Sequence, residues 1–112
     1  MQNTTTFRFP SCDGQHQIFS RQWTPEHGEP RGVVQLIHGV SEHIDRYAHV
    51  ARFLTEHGFV AVGNDHLGHG RTAQGPDEYG FFSEKNGWRN VAGDVRRLRV
   101  LIGKKYPDLP YF

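Results

Sequence analysis

Residues 33–43 read VVQLIHGVSEH, and the reading of this stretch decides the fold. Val33 to Ile37 is nearly continuous in aliphatic residues, the pattern of a strand buried on both faces in a parallel sheet covered by helices. The run stops at His38-Gly39, and a helical period follows at once. Tyr47, Val50, Ala51 and Leu54 fall at i, i+3, i+4 and i+7, with Asp45 near the start and Gly58 as the C′ residue. A second buried strand, FVAV, occupies 59–62. Strand, helix and strand in this order make a parallel crossover unit of the α/β class.

Working outward, residues 5–24 predict an antiparallel hairpin. Phe7 and Phe9 alternate with polar neighbours, Asp13-Gly14 supplies the turn, and the partner strand runs from about His16 to Trp23 before Pro25 ends it. A polar loop, PEHGEPRG, fills 25–32. Beyond 62 comes a long glycine-rich loop containing NDHLGHGRT and then AQGPDEYGFFSEKNG, in which Phe81 and Phe82 are expected to pack beneath the loop, with contact to lipid as the alternative. The helical period returns at Trp88, with Val91, Ala92, Val95, Leu98 and Ile102 on the same expected buried face. Lys104 and Lys105 suit the carboxyl end of its dipole, and Pro107 stops it. Trp88 and Tyr47 are read as core residues and Cys12 as an ordinary thiol beside a turn. The closing LPYF reads as the first step of another strand, so the pattern is an α/β sheet that these elements do not complete.

Composition narrows the function classes. Apolar residues make up 36% of 112 residues, enough for a core. Thirteen basic and twelve acidic residues give a formal charge of +1, with no basic block beyond Arg96-Arg97 and Lys104-Lys105, so nucleic acid is not an expected partner. No run approaches the roughly 20 apolar residues of a membrane span. The polar MQNTTTFRF start and the single Cys12 lead to the expectation of a cytoplasmic protein.

In an open α/β sheet, ligands bind beyond the carboxyl ends of the strands. His38-Gly39-Val40 lies at one such end, where a glycine allows a sharp turn and frees backbone N–H groups, the raw material of an oxyanion hole. Taken alone it also fits a plain strand-to-helix turn. Asp65-His66-Leu67-Gly68-His69-Gly70-Arg71-Thr72 follows the next buried strand and lies at a second such end. With both loops in view, the hairpin, LIHG, EHGF, DHLGHGRT and KYPDLPYF resemble the amino-terminal part of an α/β-hydrolase, in its monoacylglycerol lipase and lysophospholipase-like branch. The resemblance spans essentially the whole chain, as the amino-terminal portion (1–112) of a single hydrolase domain.

That resemblance implies specific roles. Val40 would give one backbone N–H to the oxyanion hole, Gly39 would permit the close turn, and His38 would brace the loop. Asp65, His69 and Gly70 would buttress the centre, Asp65 by accepting backbone N–H bonds. Thr72 stands where the family usually has serine. Glu42 and His43 would touch substrate or merely cap the helix. The substrate would be a small lipid or ester, with no cofactor.

The chemistry also needs a serine in G-x-S-x-G, followed in sequence by an acid and a histidine. Ser41 has Gly39 two residues before it but His43 two after; Ser11, Ser20 and Ser83 have glycine at neither position. The elbow is therefore expected on the strand that begins at Pro110, and none of the eight histidines is a triad candidate. Two other readings compete. One is a metal site using His66, His69 and Asp65 with His38 or His43, although this spacing matches no closed zinc pattern. The other is a non-catalytic interaction module that needs a partner, such as the missing carboxy-terminal part of the same fold, to complete the sheet.

Overall fold

A computed structural model describes residues 3–82 and 86–112; Ser83 lies outside them. The strands are β1 (Asn3–Pro10), β2 (Gln17–Thr24), β3 (Gly32–Leu36) and β4 (Phe59–Asn64), and the helices are α1 (Ala48–Glu56) and α2 (Gly87–Lys105). Short 3₁₀ turns occupy Ile44–Tyr47 and Pro76–Glu78. The sheet order is β1-β2-β4-β3, antiparallel at β1/β2 and β2/β4 and parallel at β4/β3. Tyr111 bridges in parallel to Val33, backed by bonds from Val33 N–H to Pro110 O (2.8 Å) and from Phe112 N–H to Val33 O (2.8 Å). The closing LPYF thus joins the free edge of β3.

Strand alternation gives the sheet two apolar faces. Ile18, Val33, Val60 and Val62 meet Leu98 and Ile102 of α2 on one face. Phe19, Trp23 and Ala61 meet Ile44 and Ala51 on the other, with Leu54 of α1 packed alongside. Each such buried aliphatic side chain stabilises the fold by about 1.5–3 kcal/mol. Gly63 makes the second face possible: a Cβ there would stand 2.1 Å from Ile44 Cδ1, so the bare backbone of β4 is what seats Ile44.

Three expectations need correction. β3 is not buried on both faces throughout, since Val34, Gln35 and Leu36 are only half-buried and Ile37 is exposed beyond the strand end. Gln35 has a polar task instead: its Nε2 donates to Val95 O at 3.0 Å and its Oε1 accepts from Tyr111 OH. Trp88 is 68% exposed and Ala92 is also outside, so the buried face of α2 runs through Val91, Asp94, Leu98 and Ile102. Asp94 explains the rotation. Its buried carboxylate accepts from Ser11 Oγ (2.8 Å) and Cys12 N–H (2.7 Å), pinning α2 to the β1–β2 turn. Burial pushes the Asp94 carboxyl above its ordinary value, against the pull of those two donors. Tyr47 is half-buried in a 3₁₀ turn, and its hydroxyl donates to Glu42 rather than entering the core.

Candidate functional site

β3 and β4 run side by side in parallel, so the loops that follow them emerge together at one end of the sheet. This is where an open α/β sheet binds ligands. The two loops are built differently.

After β4 the chain folds inward, and residues 65–69 are buried. Asp65 organises the segment through both carboxylate oxygens. Oδ1 accepts from Ile44 N–H at 2.7 Å and Oδ2 from Arg71 N–H at 2.9 Å. The Thr72 hydroxyl donates to Asp65 O (2.7 Å) and accepts from Phe19 N–H (3.0 Å), stitching the loop to β2. Gly70 sits at φ +47°, and a Cβ there would meet Asp65 Oδ2 at 2.3 Å. Only glycine lets the backbone wrap this closely around the carboxylate.

The β3 loop is exposed, and its conformation is borrowed from behind. His38, buried in the loop base, accepts from His66 N–H through Nε2 at 3.0 Å. That leaves the proton on Nδ1, which donates to Gly39 O at 2.7 Å. Gly39 O also receives Glu42 N–H at 3.2 Å. In a trans peptide the N–H points opposite to the C=O. Holding Gly39 O toward His38 therefore turns Val40 N–H to the side opposite His38. Val40 is 76% exposed, and its N–H has no hydrogen-bond partner among the described residues.

The sharp turn itself is not at Gly39. Ser41 takes the left-handed conformation, φ +63°, with its N–H donating to His69 Nε2 at 3.2 Å. His69 therefore carries its proton on Nδ1, directed at Leu67 O (2.9 Å). What Gly39 contributes is the absence of a Cβ, which would lie 3.0 Å from Glu42 Oε1. That oxygen accepts from Gly39 N–H (2.7 Å) and from Tyr47 OH (2.7 Å). His43 is exposed at the cap position of the 3₁₀ turn, and its side chain makes no capping bond.

Three imidazoles back the site. The His38 and His66 ring centroids are 4.0 Å apart, and those of His38 and His69 are 5.2 Å apart. Burial pushes the His66 imidazole down to about 4, with His38 and His69 adding repulsion. Burial likewise lowers His38, against the carbonyl of Gly39 and the charge of Asp65, which favour its proton. The hydrogen bonds from Tyr47 OH and Gly39 N–H, with Arg46 nearby, hold the Glu42 carboxyl below its usual range.

His38, Gly39, Val40, Asp65, His69 and Gly70 thus come together, with Glu42 beside them. Sequence reasoning missed Ser41 as the turn residue and Tyr47 as a partner of Glu42. Tyr47 lies five residues beyond Glu42, a spacing that places the two on no common helical face, so the sequence carried no signal for this pair. The rings of His38 and His69 have both nitrogens committed to protein atoms. Among the described residues no group of three His, Cys, Asp or Glu is arranged to hold a metal ion.

Comparison with known proteins gives the same outline. A family model described as serine aminopeptidase, S33 (Hydrolase_4) matches residues 28–112. The monoacylglycerol lipase of Mycolicibacterium smegmatis is 36% identical over 91 residues, covering 79% of this chain and 29% of that protein. The monoglyceride lipase of Mus musculus is 33% identical over 102 residues, covering 91% and 31%. Among solved structures, a thermostable carboxyl esterase from Bacillus coagulans in complex with glycerol superposes with a TM-score of 0.89 at 37% identity, over 100% of this chain and 36% of that one. The chain spans about a third of the length of these relatives.

Proposed function

The chain belongs to the serine aminopeptidase S33 (Hydrolase_4) family of α/β-hydrolases, as the amino-terminal part of that fold, and from that premise we propose that it belongs to a serine hydrolase of carboxylic esters. The observation that carries the reading is the N–H of the exposed Val40, without a hydrogen-bond partner among the described residues, at the carboxyl end of β3. In this proposal a serine attacks the acyl carbonyl, a histidine takes its proton, and Val40 N–H holds the oxyanion as charge develops. The histidine gives that proton to the departing alcohol as its bond to the acyl carbon breaks, and water, deprotonated by the same histidine, then cleaves the acyl-enzyme to the carboxylic acid and free serine. Serine, histidine and acid come from polypeptide beyond residues 1–112, because no serine here stands in G-x-S-x-G.

Monoacylglycerols are the proposed substrates, supported by the names of the relatives; lysophospholipids belong to the proposal only through the sequence resemblance. The branched side chain of Val40 stands beside the proposed oxyanion donor, so the reading includes a narrowed acyl site. A cytoplasmic setting is part of the same proposal, supported by the single thiol of Cys12. No helix among the described residues is long and apolar enough to cross a membrane.

A second reading draws on the outer face of α2. Val100 and Leu101 are exposed there, a surface that suits a non-catalytic module docked to a partner. Intact mass and an ester assay separate the two. A mass well above 12.8 kDa with hydrolysis of a monoacylglycerol supports the enzyme; a mass of 12.8 kDa with no hydrolysis sinks it.

A further inference from the structure

We infer that Glu42, held by Tyr47, is the positioning residue of the oxyanion loop. The inference rests on the hydrolase reading above and deepens it. Gly39 has two flanking peptides, and each is pinned by a different group. The following peptide is fixed through Gly39 O by His38 Nδ1–H and Glu42 N–H. The preceding peptide is fixed through Gly39 N–H by Glu42 Oε1 at 2.7 Å. Fixing both planes sets φ and ψ of Gly39, and therefore the direction of Val40 N–H. A glycine has no side chain of its own to restrict these angles, so the restriction has to come from neighbours.

Glu42 supplies both of its polar ends to the task. Its N–H closes the 39–42 turn while its carboxylate reaches back to the turn's first N–H, the same reciprocity as a helix capping box. Tyr47 OH donates to the same carboxylate oxygen at 2.7 Å, and Arg46 Nε stands 3.7 Å from the other. The carboxylate is thus oriented by the 3₁₀ turn, which Asp65 anchors through Ile44 N–H. A charged acceptor makes this the stronger kind of hydrogen bond. The absence of a Cβ on Gly39 lets the oxygen approach closely.

The alternative role for Glu42 is direct contact with the polyol of a glycerol ester, and the test separates the two. In the intact polypeptide that carries this chain, kcat and KM are measured for a monoacylglycerol and for p-nitrophenyl butyrate, which has no polyol. Positioning predicts that Glu42→Ala lowers kcat about 10–100-fold on both esters with KM within about twofold, because a displaced oxyanion donor loses transition-state binding. Glu42→Gln keeps the acceptor oxygen and restores most of the rate, and Tyr47→Phe falls between. Amide hydrogen exchange at Gly39 is the readout independent of turnover: about tenfold faster in Glu42→Ala and near wild type in Glu42→Gln. A loss confined to the monoacylglycerol, or Gly39 exchange unchanged in Glu42→Ala, overturns the inference. Wild-type protein that cleaves neither ester overturns the hydrolase reading instead, while Gly39 exchange still decides whether Glu42 holds the loop.

Discussion

The two loops at the carboxyl end of the sheet solve opposite problems. The β4 loop is buried, so its polar groups need internal partners: Asp65 Oδ2 takes Arg71 N–H, Thr72 OH donates to Asp65 O, and Asp65 Oδ1 reaches across to Ile44 N–H. The β3 loop is exposed and leaves Val40 N–H without a partner among the described residues, so its shape is imposed by His38, His69 and Glu42. Freedom at Val40 is possible because its neighbours are fixed. The contrast teaches that an available backbone donor depends on rigidity supplied from elsewhere.

The comparison predicts that substitutions in the buried loop act on stability and substitutions in the exposed loop do not. The largest effect is expected for Asp65→Ala. It strands the N–H groups of Ile44 and Arg71, at about 1–3 kcal/mol each, so the urea midpoint drops by the equivalent of about 2–6 kcal/mol. A change under 1 kcal/mol would mean that water reaches these donors, and the two loops would not differ as described.

Acid gives the next largest effect. His66 is neutral in the fold because burial pushes it down to about 4, whereas the unfolded chain takes up a proton near 6.5. Its contribution is complete above pH 6.5 and is lost as pH falls from there toward 4, on the order of 2–3 kcal/mol in all. Lowered His38 acts in the same direction. Urea midpoints from pH 7.5 to 4.5 should fall steeply in wild type and less so in His66→Gln. Parallel curves would remove the imidazole cluster as the acid-sensitive element.

Thr72→Val keeps the shape but takes away the partner of Phe19 N–H, for a loss of about 1–2 kcal/mol, while Thr72→Ser stays close to wild type. A valine variant as stable as wild type would show the stitch to β2 to be dispensable. The smallest effect belongs to the exposed loop. Val40→Ala removes only a solvated side chain and leaves the urea midpoint within about 0.5 kcal/mol. A larger loss would place Val40 in a packed environment and erase the contrast.

The crossover unit was legible because aliphatic runs at 33–37 and 59–62 flank an amphipathic period, and burial enforces those patterns. Legibility failed where a polar contact overrode the pattern. Trp88 fits the apolar period of α2, yet the bonds of Asp94 to Ser11 and Cys12 turn that face aside. Gly39 drew attention as the turn residue, yet Ser41 takes the left-handed conformation because His69 Nε2 receives its N–H. Both decisions depend on partners more than 25 residues away in sequence.

The sequence by itself determined the class of fold, the order of its elements and the two loops that meet at the carboxyl end of the sheet. Hydrophobic period and turn chemistry act over a few residues, so they can be read locally. Only the tertiary structure decided which imidazole nitrogen carries each proton, which way the Gly39–Val40 peptide faces, and that Glu42 turns back toward Gly39. These depend on hydrogen bonds, whose strength falls steeply with distance and angle. Such geometry exists only once β3, β4 and the 3₁₀ turn are packed against one another.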